Sequence, residues 1–357
     1  MVDLNNVDQV RKIDTLNALA ATHGYDQQFL DAYKDCMNLK LPILDREIKN
    51  VVVIGTGGWS NVAASIVRSI FFHELTLPIL SVPGYNIPAV VNKNSLIIVL
   101  SRFGNVEEVL SATQQSIDRG AYILAVMSGG PLVDMCREND IPYMIIPMDD
   151  RMPRTLIAYS VLPIIIFTSR LGLMADKTKN INETIQLFRK LRERYGVEVL
   201  LKQNLAKQIA SRVKGRIPLV YGSLDHYDSV ADRWKRQFGE NSKMMAFYNI
   251  IPNLHHDEAV GWDMERDLLS QFCLIMLRDD ILDSPKIKKR KDISIDILND
   301  RVGEIIEVYA EGISVMARMF SLIYLGDFVS LYLAIIRGID PTPIKVIDLF
   351  KLKMAEE

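Results

Sequence analysis

Cysteine is scarce. Cys36, Cys136 and Cys273 are the only three in 357 residues; each has apolar neighbours, and none has CxxC spacing. A disulfide framework and a thiolate metal site are therefore not expected, and the thiols read as the reduced residues of a cytosolic protein. No charge of one sign dominates either: 42 Lys and Arg stand against 44 Asp and Glu. A nucleic-acid partner, which would need a basic face, is not expected. The short basic run at 286–291 lies between acidic stretches and reads as a solvated loop or helix start. Long apolar runs are missing too. Stretches such as 161–167 fall far short of the roughly 20 residues that span a bilayer. The first residues lack the apolar core of a signal peptide. The expectation is a soluble, cytoplasmic chain with no membrane partner.

The length predicts two domains, on a prior of about 150 residues each. With 49% hydrophobic and 24% charged residues, a packed core is expected and disorder is not. Residues 7–21 and 27–37 carry apolar positions at helical spacing. The pattern then changes at Val51-Val52-Val53-Ile54, an apolar run ended by Gly55-Thr56-Gly57-Gly58. It reads as a strand of a parallel sheet, buried on both faces, that turns into a helix over 60–72. Further strands are predicted at 78–82, 95–100, 122–127 and 143–146. Helices are predicted at 106–119, 131–138 and 154–171.

Residues 180–209 read as one or two connecting helices. A second unit opens at Ile217-Pro218-Leu219-Val220-Tyr221 and ends in Gly222-Ser223. A helix at 226–238, strands at 244–248 and 272–277, and long helices at 300–326 and 328–337 complete it. The expected fold is α/β: two doubly wound parallel-sheet domains, each a three-layer sandwich. Its divisions are N-terminal helices to 45, a first domain over 46–172, connecting helices over 173–212, and a second domain from 213.

In such sheets ligands bind beyond the carboxyl ends of the strands. The turn Gly55–Ser60 offers helix N-terminal amides suited to an anion. Ser60 stands where a dinucleotide fingerprint needs its third glycine, and the region ILSVPGY lacks the acidic residue that should follow. The second turn, Ser101-Arg102-Phe103-Gly104-Asn105-Val106, also opens a helix, with Asn105 as the expected N-cap. In the second half stand Glu240-Asn241-Ser242-Lys243 and His255-His256-Asp257-Glu258. Adjacent histidines point apart on a helix, so no metal site is expected.

These motifs carry a resemblance. The stretch YGSLDHYDSVADRWKRQFGENSKMMAFYNIIPNLHHDEAVGW and the ending GIDPTPIKVIDLFK resemble the second sugar-isomerase (SIS) domain of the bifunctional phosphoglucose/phosphomannose isomerases. VVVIGTGG, SRFGNVEE, LAVMSGG and MPR resemble the first. The resemblance implies an aldose–ketose isomerase acting on hexose 6-phosphates through a cis-enediol, without metal or organic cofactor. It implies Glu240 as the base that moves the proton between C1 and C2. It further implies that His256 assists ring opening from the neighbouring subunit of a homodimer, and that Arg154 stabilises the enediolate. Thr342 and Lys351 match C-terminal site residues, Lys351 as a catalytic group.

There are departures. The family's first loop reads GGSG, whereas this chain has Gly57, Gly58 and Trp59 before Ser60. Its phosphate loop reads SYSGNTEE; here Ser101 survives, with Phe103 and Val106 in place of two hydroxyls. Losing two neutral hydrogen bonds costs about 1–3 kcal/mol, and Arg102 offers charge-assisted bonds in compensation. Two other readings therefore stay open: a non-catalytic sugar-phosphate sensor, and an isomerase acting on a different sugar.

Overall fold

The computed structural model describes residues 2–148 and 152–354. Three N-terminal helices, α1 (Val7–Ile13), α2 (Ala18–His23) and α3 (Tyr25–Asn38), precede the first sheet. The strands β1 (Asn50–Ile54), β2 (Ile79–Val82), β3 (Ser95–Ser101), β4 (Tyr122–Met127) and β5 (Tyr143–Ile145) are parallel, in the order β2-β1-β3-β4-β5. Helices α4 (Gly57–Ile70), α5 (Glu107–Asp118), α6 (Pro131–Glu138) and α7 (Ala158–Arg170) cover it. β1 and β3 are buried along their whole length because both faces are covered. Val51 and Val53 face one apolar cluster, while Val52 and Ile54 face another.

Helices α8 (Thr178–Tyr195) and α9 (Leu205–Val213) lead to a second parallel sheet. Its strands β6 (Ile217–Ser223), β7 (Phe247–Ile251), β8 (Phe272–Arg278) and β9 (Glu304–Tyr309) run in the order β7-β6-β8-β9. Around it lie α10 (Asp228–Glu240), α11 (Arg266–Leu269), α12 (Pro285–Leu298), α13 (Val315–Ile336) and α14 (Lys345–Met354). The apolar cluster that holds Val51 and Ile164 also holds Ile275, Phe320 and Tyr332, so one core joins the two halves.

Several expectations need correction. The helix expected over 7–21 breaks because the Asp14 carboxylate accepts from the Ala18 and Leu19 amides and so starts α2 anew. The helix expected over 300–326 is instead a turn, the edge strand β9 and the start of α13. β9 alternates, with Ile306 and Val308 inward and Glu307 and Tyr309 outward. Gly326 does not break α13 either. A side chain there would collide with the Trp234 ring, so this glycine serves close packing inside a continuous 22-residue helix. α13 is long and apolar enough to cross a membrane by length and composition, but 94% of its apolar window is buried inside the fold. Lys291, expected on a solvated run, is fully buried on α12 and paired with Asp283 at 2.5 Å.

Candidate active site

The two halves meet where α4 packs antiparallel to α10. At one end, the Ser69 hydroxyl donates to the Asp228 carboxylate at 3.0 Å. At the other end, the first turn of α4 faces Glu240, the last residue of α10. A Cβ on Gly58 would fall within contact distance of Glu240 Oε1, so the absence of a side chain at 58 makes room for this carboxylate. The helix begins at Gly57, earlier than the sequence predicts, and Thr56 gives it no side-chain cap. Its first amides and the positive end of its dipole therefore face a carboxylate across the domain seam.

Arg154 comes to the same place from a 3-10 turn, Pro153–Thr155. Its Nη1 lies 3.6 Å from Glu240 Oε2. Nε donates to Asn241 Oδ1 at 2.6 Å, and Nη2 donates to the Pro341 and Thr342 carbonyls at 2.7 and 3.1 Å. Burial lowers its pKa, against the opposing pull of Glu240 and Asp340. α10 is itself pinned from below. Arg233 donates to Asp327 of α13 at 2.6 Å and to the Arg154 carbonyl at 3.0 Å. Thr342 is buried, and its Oγ1 has no hydrogen-bond partner among the described residues.

At the carboxyl end of β3, Ser101 is also buried, and its hydroxyl has no partner among the described residues. The loop that follows is folded back on Gly129 and Gly130. Gly104 is left-handed and so close to the Gly129 carbonyl that no side chain fits. The Ser128 and Leu132 amides donate to the Arg102 and Gly104 carbonyls at 2.9 and 3.0 Å. Both carbonyls are thereby occupied, and α5 starts without a side-chain cap at Val106, one residue later than the expected Asn105. A helix N-terminus beside such a hydroxyl suits an anion. Phe103 and Asn105 are exposed on this loop, and Arg102 is buried with Nη1 donating to the Pro147 carbonyl at 2.7 Å.

Glu240, Arg154, Thr342 and Gly58 are therefore assembled around one point. Trp59 is not part of it: the ring is buried and its Nε1 donates to the Leu156 carbonyl at 2.8 Å, bracing the segment that follows Arg154. His256 is exposed on the 3-10 turn Asn253–His256 and does not line the cleft of about 780 Å³ beside Glu240. Its neighbour His255 is committed internally, to Ser294 Oγ at 2.8 Å and Arg290 Nη1 at 3.1 Å. Because arginine can only donate, His255 Nδ1 accepts and Nε2 carries the proton. Burial and the Arg290 charge hold its pKa low. Lys351 is exposed on α14 and does not line the cleft either, although the start of that helix does.

Sequence reasoning missed three neighbours of Glu240. Asn241 grips Arg154, while Lys243 donates to the Glu240 carbonyl and to the Pro341 carbonyl. Asp340 Oδ1 accepts from the Thr342 amide at 2.9 Å. The ENSK and DPTP motifs contained all three, but short polar strings do not reveal which member faces the guanidinium. Among the described residues no group of three or more His, Cys, Asp or Glu is placed to hold a metal ion.

Two doubly wound domains with a carboxylate–guanidinium pair at their seam define a protein of the two-domain SIS class. A family model described as "Bacterial phospho-glucose isomerase C-terminal SIS domain" matches residues 202–354. A bifunctional phosphoglucose/phosphomannose isomerase from Caldicellulosiruptor bescii is 36% identical over 94% of this chain and 98% of its own length. One from Aquifex aeolicus is 31% identical over 85% and 89%. The structure of a glucose-6-phosphate isomerase like protein from Thermus thermophilus superimposes with a TM-score of 0.64 at 17% identity, covering 98% of this chain and 99% of that one. The chain belongs to the bifunctional phosphoglucose/phosphomannose isomerase family, and is thus a sugar-phosphate aldose–ketose isomerase.

Proposed function

We propose that the chain interconverts glucose 6-phosphate and mannose 6-phosphate with fructose 6-phosphate, as a cytoplasmic homodimer of two-domain subunits. The observation that carries this reading is the Glu240 carboxylate facing the Arg154 guanidinium at 3.6 Å in the seam. Glu240 takes the proton from C2 of the open-chain aldose. The electron pair forms the C1–C2 double bond, and negative charge gathers on O1. Arg154 stabilises that charge; the O2 proton then passes to O1, the C2–O2 double bond forms, and Glu240 returns the carbon-bound proton to C1. C2 is planar in the enediolate, so two sugars epimeric at C2 share one intermediate. Ser101, the amides of Gly57 and Gly58 and those at the start of α5 hold the substrate, with Thr342 near the reacting end. Arg102 adds charge to the phosphate loop.

His256 and Lys351 complete the site through assembly in this reading. Supporting it, Met245 (73% exposed), Val260 (77%), Val346 (81%) and Phe350 (66%) are large apolar side chains left exposed on the segments flanking β7 and on α14, with Met245 and Val346 lining the same cleft. Complementation tests the whole proposal. Glu240→Gln and His256→Ala should each be folded and inactive. Mixed after subunit exchange, they should recover up to about a quarter of wild-type activity, since half of the dimers then hold one intact site of two. Turnover by Glu240→Gln alone at the wild-type rate would refute the base, and no recovery on mixing would refute the shared site.

A further inference from the structure

Among the described residues, every oxygen that hydrogen-bonds the Arg154 guanidinium is formally uncharged. Nη2 meets two backbone carbonyls, and Nε meets the amide oxygen of Asn241. Arginine cannot accept, so the amide of Asn241 has one possible orientation: Oδ1 toward Arg154 and Nδ2 away. Nδ2 donates to Ser330 Oγ at 2.9 Å, and the Ser330 hydroxyl sends its own proton to the Asp327 carbonyl at 2.7 Å. Asn241 is 1% exposed and Ser330 fully buried, so water does not compete for either bond. The direction of each donor is thus determined, from the middle of α13 to the guanidinium.

A carboxylate at 241 would bind Nε more strongly than an amide does. It would also place a full negative charge 2.6 Å from the guanidinium. The charged groups already around Arg154 are Glu240, Asp340 and Lys243, with the Arg233–Asp327 pair at its backbone carbonyl. We infer that Asn241 is a positioning residue: it fixes Arg154 through Nε without adding a further negative charge to those of Glu240 and Asp340, so that the guanidinium keeps more of its charge for the oxygen that becomes negative. The inference rests on the reading of Glu240 and Arg154 as the reacting pair.

The test is Asn241→Asp, which is nearly isosteric. Its second oxygen can be met by the Ser330 hydroxyl, which donates as readily as it accepts. The charge on O1 exists in the transition state and not in the bound sugar, so the loss should fall on turnover. With fructose 6-phosphate, kcat should drop about 10- to 100-fold while KM stays within about threefold. Ser330→Ala removes the acceptor for Nδ2 without touching Arg154, and should lower kcat about three- to tenfold. Thermal melts accompany both. A wild-type kcat in Asn241→Asp at an unchanged melting temperature overturns the inference, as does a loss carried by KM. If Asn241→Asp does not fold, Ser330→Ala decides alone, and wild-type turnover there has the same consequence. Glu240→Gln in the same assay separates the two levels. If that variant is active, the reading of the site falls; if it is dead while Asn241→Asp is unimpaired, only the role of Asn241 falls.

Discussion

Gly58 and Glu240 belong to different domains, yet the carboxylate of one occupies the space a side chain on the other would need. The helix positions of α4 and α10 bring this about, since the two pack antiparallel with the first turn of one against the last of the other. Gly58 has ordinary backbone geometry for a helix, so the requirement for glycine comes from the carboxylate and not from the chain.

Gly58→Ala should therefore separate activity from stability. Alanine is the better helix former by about 1 kcal/mol, which offsets part of the cost of displacing a flexible carboxylate. The melting temperature should stay close to wild type. The displaced Glu240 loses its alignment with the substrate, and kcat should fall about 100-fold, the scale expected of a small misplacement of a reacting group. An active Gly58→Ala would mean that Glu240 reaches the substrate from another direction.

Lys243 offers a test through pH. Burial, with the Arg154 charge second, pushes its ammonium down to about 8, whereas an unperturbed lysine holds its proton to 10.5. Between those values the unfolded chain binds more protons than the folded one, so this group makes stability rise with pH. Below pH 8 both states carry the proton and the slope vanishes. Lys243→Met lacks the group. Denaturant melts from pH 7 to 10.5 should show wild type gaining on the variant above pH 8. Parallel curves would mean that Lys243 is solvated like any surface lysine.

The fold is legible where one physical rule governs a segment. The β1 turn and α6 follow from apolar runs ended by glycine and from a proline at a helix start. Gly326 and β9 escape a local reading because the deciding contacts are tertiary. One depends on the Trp234 ring, and the other is an edge strand whose alternation resembles a helix face. The site divides in the same way. Glu240 and Arg154 stand in motifs that resemble the family, and the structure brings them together. Trp59 stands in the sequence within the loop that reads GGSG in the family, but the indole N–H meets the Leu156 carbonyl inside the core. No local pattern announces that a carbonyl is waiting there.

The loop after β3, proposed above to hold the phosphate, departs from the family pattern at Phe103 and Val106, and its geometry gives two consequences for one substitution. Val106 occupies the N-cap of α5 with extended backbone angles, φ −77 and ψ 120, and provides no cap. A threonine hydroxyl there would accept from a first-turn amide, so Val106→Thr should raise stability by about 0.5–2 kcal/mol even without ligand. The same hydroxyl keeps its proton for a phosphate oxygen. Phe103→Ser removes an exposed ring from the loop and adds a second donor. Together the two substitutions should tighten fructose 6-phosphate by about 1–3 kcal/mol in calorimetry. Wild-type binding, with fewer neutral donors, should lean more on charge and weaken more steeply with salt than that of the double variant. A gain in stability with no gain in affinity would show that the hydroxyl caps the helix while the phosphate lies elsewhere. The loop would then be shaped for a different sugar, or for a ligand that is sensed and not turned over.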